Sequence, residues 1–516
     1  MKKVIKYSLG FLLLTAISTS CKKSLNIPNP NATDESNFWK TGTDALAGIN
    51  AVYGINYRQG TYARSIFWDN PRSDDGWAST GYPPLATIIN FTQTDYNFDQ
   101  TANLWYNNYQ GIYRANQVII NVPGITMDET LKKRYVAEAK FLRAIFYYNL
   151  VTHFGHIPLI LTKQNTTDLP SQETPENVYL QIEKDLTEAA ADLPASYPNA
   201  DVGRVTKGAA FAQLGKAYLQ QHKNQQAADA LSWLVTGPGA TNYSLVANFG
   251  DNFIETTENN RESVFEVQFN GRSSVTDIDD PRSNLGNQRG PFKAPPGPLR
   301  FNDAQMRRWV IGEFEIEKTV DGKRDPRLFY TAFFDSTDVR GPDFSIIYGR
   351  TFNEQYGPGD PHHNEVWYRK YADDTRPNHD ETFEGPINLR VIRYADVLLM
   401  YAEALNNLGQ TTTAYQYVDR VRQRAGLARL TDAKPNLSQG AFLQQLMHER
   451  ITELTGEDVR WNDLARWGYF DDQAKINELK SRDVEFNNFK IGKNNYLPIP
   501  QSETDINPNL KQNPFY

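Results

Sequence analysis

Leu398-Leu399-Met400-Tyr401-Ala402-Glu403-Ala404-Leu405 is the stretch on which the fold turns. Its residues Leu398, Tyr401, Ala402 and Leu405, continued by Ala414 and Val418, fall at the same relative offsets as Phe211, Leu214, Gly215, Tyr218, Ala227 and Leu231 earlier in the chain. Spacings of three and four put each leading quartet on one face of a helix. Each quartet contains a small residue, Gly215 or Ala402, answered twelve positions later by a second one, Ala227 or Ala414. Small side chains at both points let two helices approach closely, so each segment reads as a helical hairpin. Two occurrences in one register argue against coincidence.

This spacing is the helix–turn–helix signature of a tetratricopeptide repeat, and helical patterns surround it. Leu131, Tyr135, Ala139, Leu142, Phe146 and Leu150 mark a long helix ending near Gly155, for which Thr126-Met127-Asp128-Glu129 predicts a capping box. Phe141, Ile145 and Tyr148 lie off that stripe, so the helix should be buried over most of its circumference. Further helices are expected over Thr43–Arg58, Ala102–Asn121, Thr174–Leu193 and Gln439–Thr455, and one short strand with alternating apolar residues over Ser263–Phe269. Long irregular stretches rich in Gly, Pro, Asn and Asp, chiefly Arg64–Asp99, Gly271–Asn302 and Thr331–Glu384, separate these elements. Loops of that length in a compact protein usually carry function. The expected fold class is mainly α, with tetratricopeptide-type hairpins carrying a loop-rich subdomain and few short strands.

Composition supports a large folded body. The 516 residues include 28 Tyr, 27 Phe and 9 Trp, ample for a buried core, which excludes a disordered chain. A net charge of −7 with no basic stripe beyond the first 23 residues argues against a nucleic-acid partner.

The N-terminus carries a different message. Lys2, Lys3 and Lys6 precede a short apolar run, Leu9 to Ile17, the arrangement of a signal peptide. Ser18, Thr19 and Ser20 lead directly into Cys21, the one cysteine of the chain, which therefore has no internal disulfide partner. An exported chain with this arrangement reads as a bacterial lipoprotein, cleaved before Cys21 and acylated there, with palmitate among the expected chains. The domain expectation is a signal peptide at 1–20, a lipid-anchored leash at 21–32 and a single domain at 33–516.

Longer motifs then fall into a known order. Asn37-Phe38-Trp39-Lys40, Ala137-Glu138-Ala139-Lys140-Phe141-Leu142-Arg143-Ala144 and Phe154-Gly155-His156-Ile157-Pro158-Leu159 come first. Arg393-Tyr394-Ala395-Asp396, Glu449-Arg450, Arg460-Trp461-Asn462-Asp463-Leu464, Leu497-Pro498-Ile499-Pro500 and Asn507-Pro508-Asn509-Leu510 follow. In these the chain resembles the SusD/RagB family over essentially its whole mature length. The resemblance implies a cell-surface lipoprotein of the outer membrane that binds a glycan or other nutrient. Such a protein caps a SusC-type TonB-dependent transporter, so the implied partners are that transporter, an oligo- or polysaccharide, and the membrane through the lipid. Asp458 and Phe515 stand where the family commonly has Gly, and Lys22-Lys23 after Cys21 stands where acidic residues often accompany surface export.

Enzyme chemistry finds little support. His448-Glu449 is not followed by a second histidine one turn on, His362-His363 stands alone in a Pro/Gly loop, and neither a G-x-S-x-G elbow nor a phosphate loop is present. Asp277, Asp279 and Asp280 lack the glycine and distal glutamate of a calcium loop, so no metal and no cofactor are expected. Glu449, Glu453 and Glu457 share a helical face near Arg450, Arg460 and Arg466, which reads as an ion-pair network and not as a catalytic carboxylate pair.

Sugar binding needs flat aromatic rings flanked by hydrogen-bonding groups. Each stacked ring covering ~100 Å² contributes roughly 2.5 kcal/mol before ordering costs. The loop Trp68-Asp69-Asn70-Pro71-Arg72-Ser73-Asp74-Asp75-Gly76-Trp77 with Tyr82 supplies both. The expected ligand contacts are Trp68, Asn70, Arg72, Asp74, Trp77 and Tyr82, with Phe292 and Trp309 from later in the chain, while Trp39, Trp105, Trp461 and Trp467 are assigned to the core. The competing readings are an adaptor lipoprotein that uses its repeat groove for a protein alone, and a surface-anchored glycoside hydrolase.

Overall fold

The computed structural model of the chain describes residues 38–64, 71–78, 83–165, 167–270, 286–296, 301–335, 346–347, 349–372 and 384–516. The helices expected from periodicity form with small changes at their ends: α1 (Gly42–Tyr53), α2 (Asp99–Asn121), α3 (Glu129–Phe154) and α4 (Pro175–Asp192). The two repeat-like segments fold as the hairpins α5 (Lys207–Gln220) with α6 (Asn224–Val235), and α8 (Tyr394–Asn407) with α9 (Thr411–Arg424). Between them lies α7 (Trp309–Ile316), and after them come α10 (Gln439–Leu454), α11 (Arg460–Arg466) and α12 (Gln473–Arg482).

The packing order is that of a solenoid. Helix α2 packs on α3, α3 on α4, α4 on α5, α5 on α6, α6 on α8, and α8 on both α9 and α10. Gly215 explains one close approach, since a Cβ there would lie 2.4 Å from the Leu231 side chain on α6. Helix α3 is buried nearly all round from Tyr135 to Phe154, as its sequence implies, and it ends at Gly155, whose φ of 69° is in the left-handed region. Its start differs from expectation. Asp128, not Thr126, is the cap, and its carboxylate accepts from the Leu131 amide at 2.9 Å.

Sheet is sparse: among the described residues every ladder is two-stranded and antiparallel. Strand β1 (Gly76–Ala78) pairs with β3 (Ala304–Met306), and β2 (Ser263–Val267) with β4 (Leu389–Arg393). The alternation read into β2 does not become an exposed face. Glu266 is buried opposite Arg390, 3.4 Å away, and also accepts from the Asn388 amide at 2.8 Å. The stretch Arg64–Asp99, expected to be irregular, holds β1 and a short helix, Pro83–Ile89.

Buried charge joins the second hairpin to the loop subdomain. Glu453 near the end of α10 pairs with Arg327, Arg393 and Arg424, and Glu457 just beyond the helix pairs with Arg393 and Lys370. Glu449 pairs with Arg422. The ion-pair reading of these three glutamates therefore holds, but with different partners. Arg450 turns to Asp396 and Asp463, Arg466 to Glu403 and Asp463, and Arg460 to Asp74. Trp105, Trp461 and Trp467 are core residues as expected, and Trp39 packs against Gly48 on α1. No helix among the described residues is long and apolar enough to cross a membrane.

Candidate functional site

The segment 71–78 is fixed from the opposite end of the sequence. Arg460 on α11 donates to both carboxylate oxygens of Asp74, at 2.7 and 2.8 Å, and Arg482 at the end of α12 adds a contact at 3.2 Å. Burial works to raise the Asp74 carboxyl, but the two guanidinium groups hold it below its usual range. Arg72 lies with its guanidinium 4.0 Å from the Trp461 ring centre and donates to the carbonyls of Asn494 and Tyr496. Both side chains, expected to reach a ligand, are thus turned inward and buried, where they anchor the loop.

That anchoring presents two tryptophans. Trp77 sits on β1 opposite Gln305 and is half-buried, with the Arg307 guanidinium 5.5 Å from its ring. Trp309 opens α7, also half-buried, and its Nε1 donates to the Asp74 carbonyl at 2.6 Å. The Arg482 guanidinium lies 5.1 Å from the Trp309 ring. Arg307 is in turn held by Asp483 at 2.5 Å, and its amide donates to the Asp75 carbonyl at 2.8 Å. Two rings and two guanidinium groups therefore form one connected surface, fixed through Asp74, Asp75 and Asp483. Burial pushes Asp483 up to about 6 against the pull of Arg307, while burial and the neighbouring Asp74 push Asp75 up to about 6.

Phe292 is buried and not a surface ring. It stacks on Phe301 with centroids 5.2 Å apart, and the Arg64 guanidinium lies 4.9 Å from it. The exposed member of that pair is Phe301, 42% accessible, which the sequence reading did not select. Arg307 and Arg482 were missed as well, because the tryptophans they flank are assembled from three distant segments. Trp68, Asn70 and Tyr82 lie outside the described residues, as do Cys21 and the acidic group Asp277, Asp279 and Asp280.

The face can stack apolar sugar C–H surface on indole and donate hydrogen bonds from guanidinium to hydroxyls. The other chemically suggestive groups are committed. His362 contacts Glu365 at 2.8 Å, and His363 the Tyr356 carbonyl at 2.9 Å. Glu317, His448 and Glu449 approach one another closely enough to hold a metal ion. However, Arg422 bridges the two carboxylates, Lys434 reaches Glu317, and His448 contacts Glu313. These cations already neutralise the cluster, so the donor set is poorly suited to a metal.

A stacked helical-hairpin scaffold that carries an aromatic and arginine-lined loop face defines the class: a helical-repeat protein with a loop-built aromatic surface. The chain belongs to the SusD family. Residues 261–516 match the model of the SusD family, and residues 43–219 match one described as starch-binding associating with outer membrane. The SusD-like protein P2 of Formosa agariphila is 28% identical over 527 residues, covering 98% of this chain and 99% of the relative. A SusD superfamily protein from Bacteroides vulgatus superposes with a TM-score of 0.79 at 28% identity, covering 93% of this chain and all (100%) of the other. A laminarin-binding SusD-like protein superposes at 0.74 with 30% identity, covering 92% of this chain and 100% of its own.

Proposed function

We propose that this chain is a lipid-anchored outer-membrane protein, without catalytic activity, that captures an oligo- or polysaccharide at the cell surface. It then passes the glycan to a SusC-type TonB-dependent transporter. The observation that carries the reading is the pair of half-buried tryptophans, Trp77 and Trp309, held beside Arg307 and Arg482 on one loop face. Two kinds of likeness support a carbohydrate ligand: the family model described as starch-binding and the neighbour described as laminarin-binding. Membrane attachment rests on Cys21 and the apolar run before it, with 1–20 removed, 21–32 as leash and 33–516 as the binding domain.

Affinity gel electrophoresis across a panel of polysaccharides tests this reading. At least one glycan should retard the protein, and Trp77→Ala with Trp309→Ala should abolish the shift, because each stacked ring contributes roughly 2.5 kcal/mol. No retardation by any glycan, together with a stable transporter complex, would favour the adaptor reading. Shortened products released from a bound glycan would favour the hydrolase. Cys21→Ser should abolish palmitate incorporation, and unchanged labelling would refute the anchor.

A further inference from the structure

Beside α11 lies a second opening of about 340 Å³ whose lining does not include Trp77 or Trp309. It is walled by the C-terminal half of α3, the first turns of α4, the end of α5 and the α11 residues Trp461, Asn462 and Ala465, with Tyr496 closing one edge. That volume is at the small end of the range of small-molecule sites, roughly 300–1,000 Å³. Its polar inventory is unusual for a packing defect. Asn462 is 6% accessible and Tyr179 8%, yet neither polar end has a hydrogen-bond partner among the described residues. The Tyr496 hydroxyl and the Gln220 amide, in the same walls, likewise have none.

The cleft leads inward. Thr152 and Asn462 also line an adjoining chamber of about 60 Å³, into which Gln213 points. Gln213 is 2% accessible, and its amide nitrogen is without a hydrogen-bond partner among the described residues. Buried amides left unpaired are costly, at roughly 1–3 kcal/mol each, so native proteins retain them where a ligand or ordered water completes the bonding. The charged wall residue Arg466 is already committed to Glu403 and Asp463, and Asp471 accepts from Asn495. What the cleft offers a ligand is therefore mainly polar hydrogen-bonding groups: the phenols of Tyr179 and Tyr496, the carboxamides of Gln220 and Asn462, and the His222 imidazole.

We propose that this cleft is a second binding site, for a short uncharged saccharide of one or two rings, separate from the loop face. Charged sugars and nucleotides are poorly matched, since the one guanidinium in the walls, Arg466, is taken by Glu403 and Asp463 and the Asp471 carboxylate stands in the same lining. The site differs from the loop face in scale. The loop face offers two indole rings for stacking, whereas the cleft offers a small enclosed volume lined by hydrogen-bonding groups.

The test uses the full-length chain in a non-glycosidic detergent and isothermal titration with glucose, galactose, mannose, maltose, cellobiose and laminaribiose. At least one should bind the Trp77→Ala/Trp309→Ala protein, in which the loop face is disabled, as tightly as it binds the wild type. Tyr179→Phe and Gln220→Ala remove only groups without a hydrogen-bond partner among the described residues, so their unfolding midpoints should match the wild type while that affinity falls at least tenfold. Ala465→Trp, which fills the cleft, should eliminate binding. Absence of binding by every probe, loss of binding in Trp77→Ala/Trp309→Ala, or unchanged affinity in Ala465→Trp would each overturn the site.

Discussion

Arg460 and Asp74 are joined by two parallel hydrogen bonds, 2.7 and 2.8 Å long, across 386 residues of chain. A bidentate guanidinium–carboxylate pair fixes orientation as well as distance. Since the Asp74 carbonyl also receives Trp309 Nε1, this pair sets where the indole of α7 stands relative to β1. Arg460→Met leaves a buried carboxylate short of its main partner and should lower stability by roughly 3–5 kcal/mol. Adding Asp74→Asn removes the stranded charge and should recover much of that loss in a denaturant titration, but glycan retardation should stay weak because the fork is gone. Full recovery of both stability and retardation in the double variant would show that the pair has no positioning role.

Asp75 supplies a pH prediction. Its carboxyl is fully buried next to Asp74, accepts from the Ser73 hydroxyl at 2.5 Å, and is pushed up to about 6 by burial first and Asp74 second. A carboxyl raised above its unfolded value binds more protons in the folded state between about pH 4 and 6. It therefore favours folding below that window, and the contribution is lost as the pH rises through about 6. Asp75→Asn should stabilise the protein at pH 7.5, by of order 1–3 kcal/mol, and have little effect at pH 4. An equal effect at both pH values would exclude titration of Asp75 as the cause.

Arg393 is the hub of the buried charge between β4, β2 and α10, bonded to Glu262, Glu453 and Glu457 with none of its side chain exposed. Arg393→Met keeps the packing volume but strands these carboxylates, so roughly 3–5 kcal/mol should be lost at neutral pH. Against burial, which raises it, Arg424, Arg393 and Arg327 hold the Glu453 carboxyl down at about 2. Its stabilising contribution is present above the unfolded value near 4.5 and lost as pH falls through about 2. Without Arg393 that carboxylate protonates at higher pH, so the deficit of the variant should shrink below pH 4. A deficit that is constant from pH 7 to pH 3 would point to lost packing instead.

The scaffold was readable because helices bury residues at a fixed period. The offsets of Phe211 to Leu231 and Leu398 to Val418 needed no knowledge of what lies between them. The candidate face was only half readable for a related reason. Trp77 and Trp309 are visible as aromatics in loops, but Asp74 and Arg72 turn inward because their partners, Arg460 and Trp461, come from α11. Nothing local to residues 71–77 encodes that. Strands β1 and β3, three residues each, are too short to show a period and are specified by their pairing alone.

The two departures from the family's glycines make a prediction of opposite signs. Asp458 has φ 61° and Phe515 φ 66°, so the backbone keeps the left-handed conformation that glycine accommodates although both residues carry a Cβ. That conformation costs an L-residue roughly 1–2 kcal/mol, part of which glycine returns through its more flexible unfolded state. Phe515 is 76% accessible, so Phe515→Gly should relieve strain at little loss and raise stability by about 0.5–1 kcal/mol. Asp458 carries an obligation that Phe515 does not, since its carboxylate pairs with Arg289 and with the buried Lys293. Burial already lowers the Lys293 ammonium to about 7, with Asp458 opposing the fall. Asp458→Gly should therefore relieve the same strain yet lower stability by several kcal/mol, and the loss should be greater at pH 6 than at pH 9, where Lys293 folds uncharged. Stabilisation by both substitutions would mean that the Asp458 ion pairs contribute less than the strain they accompany.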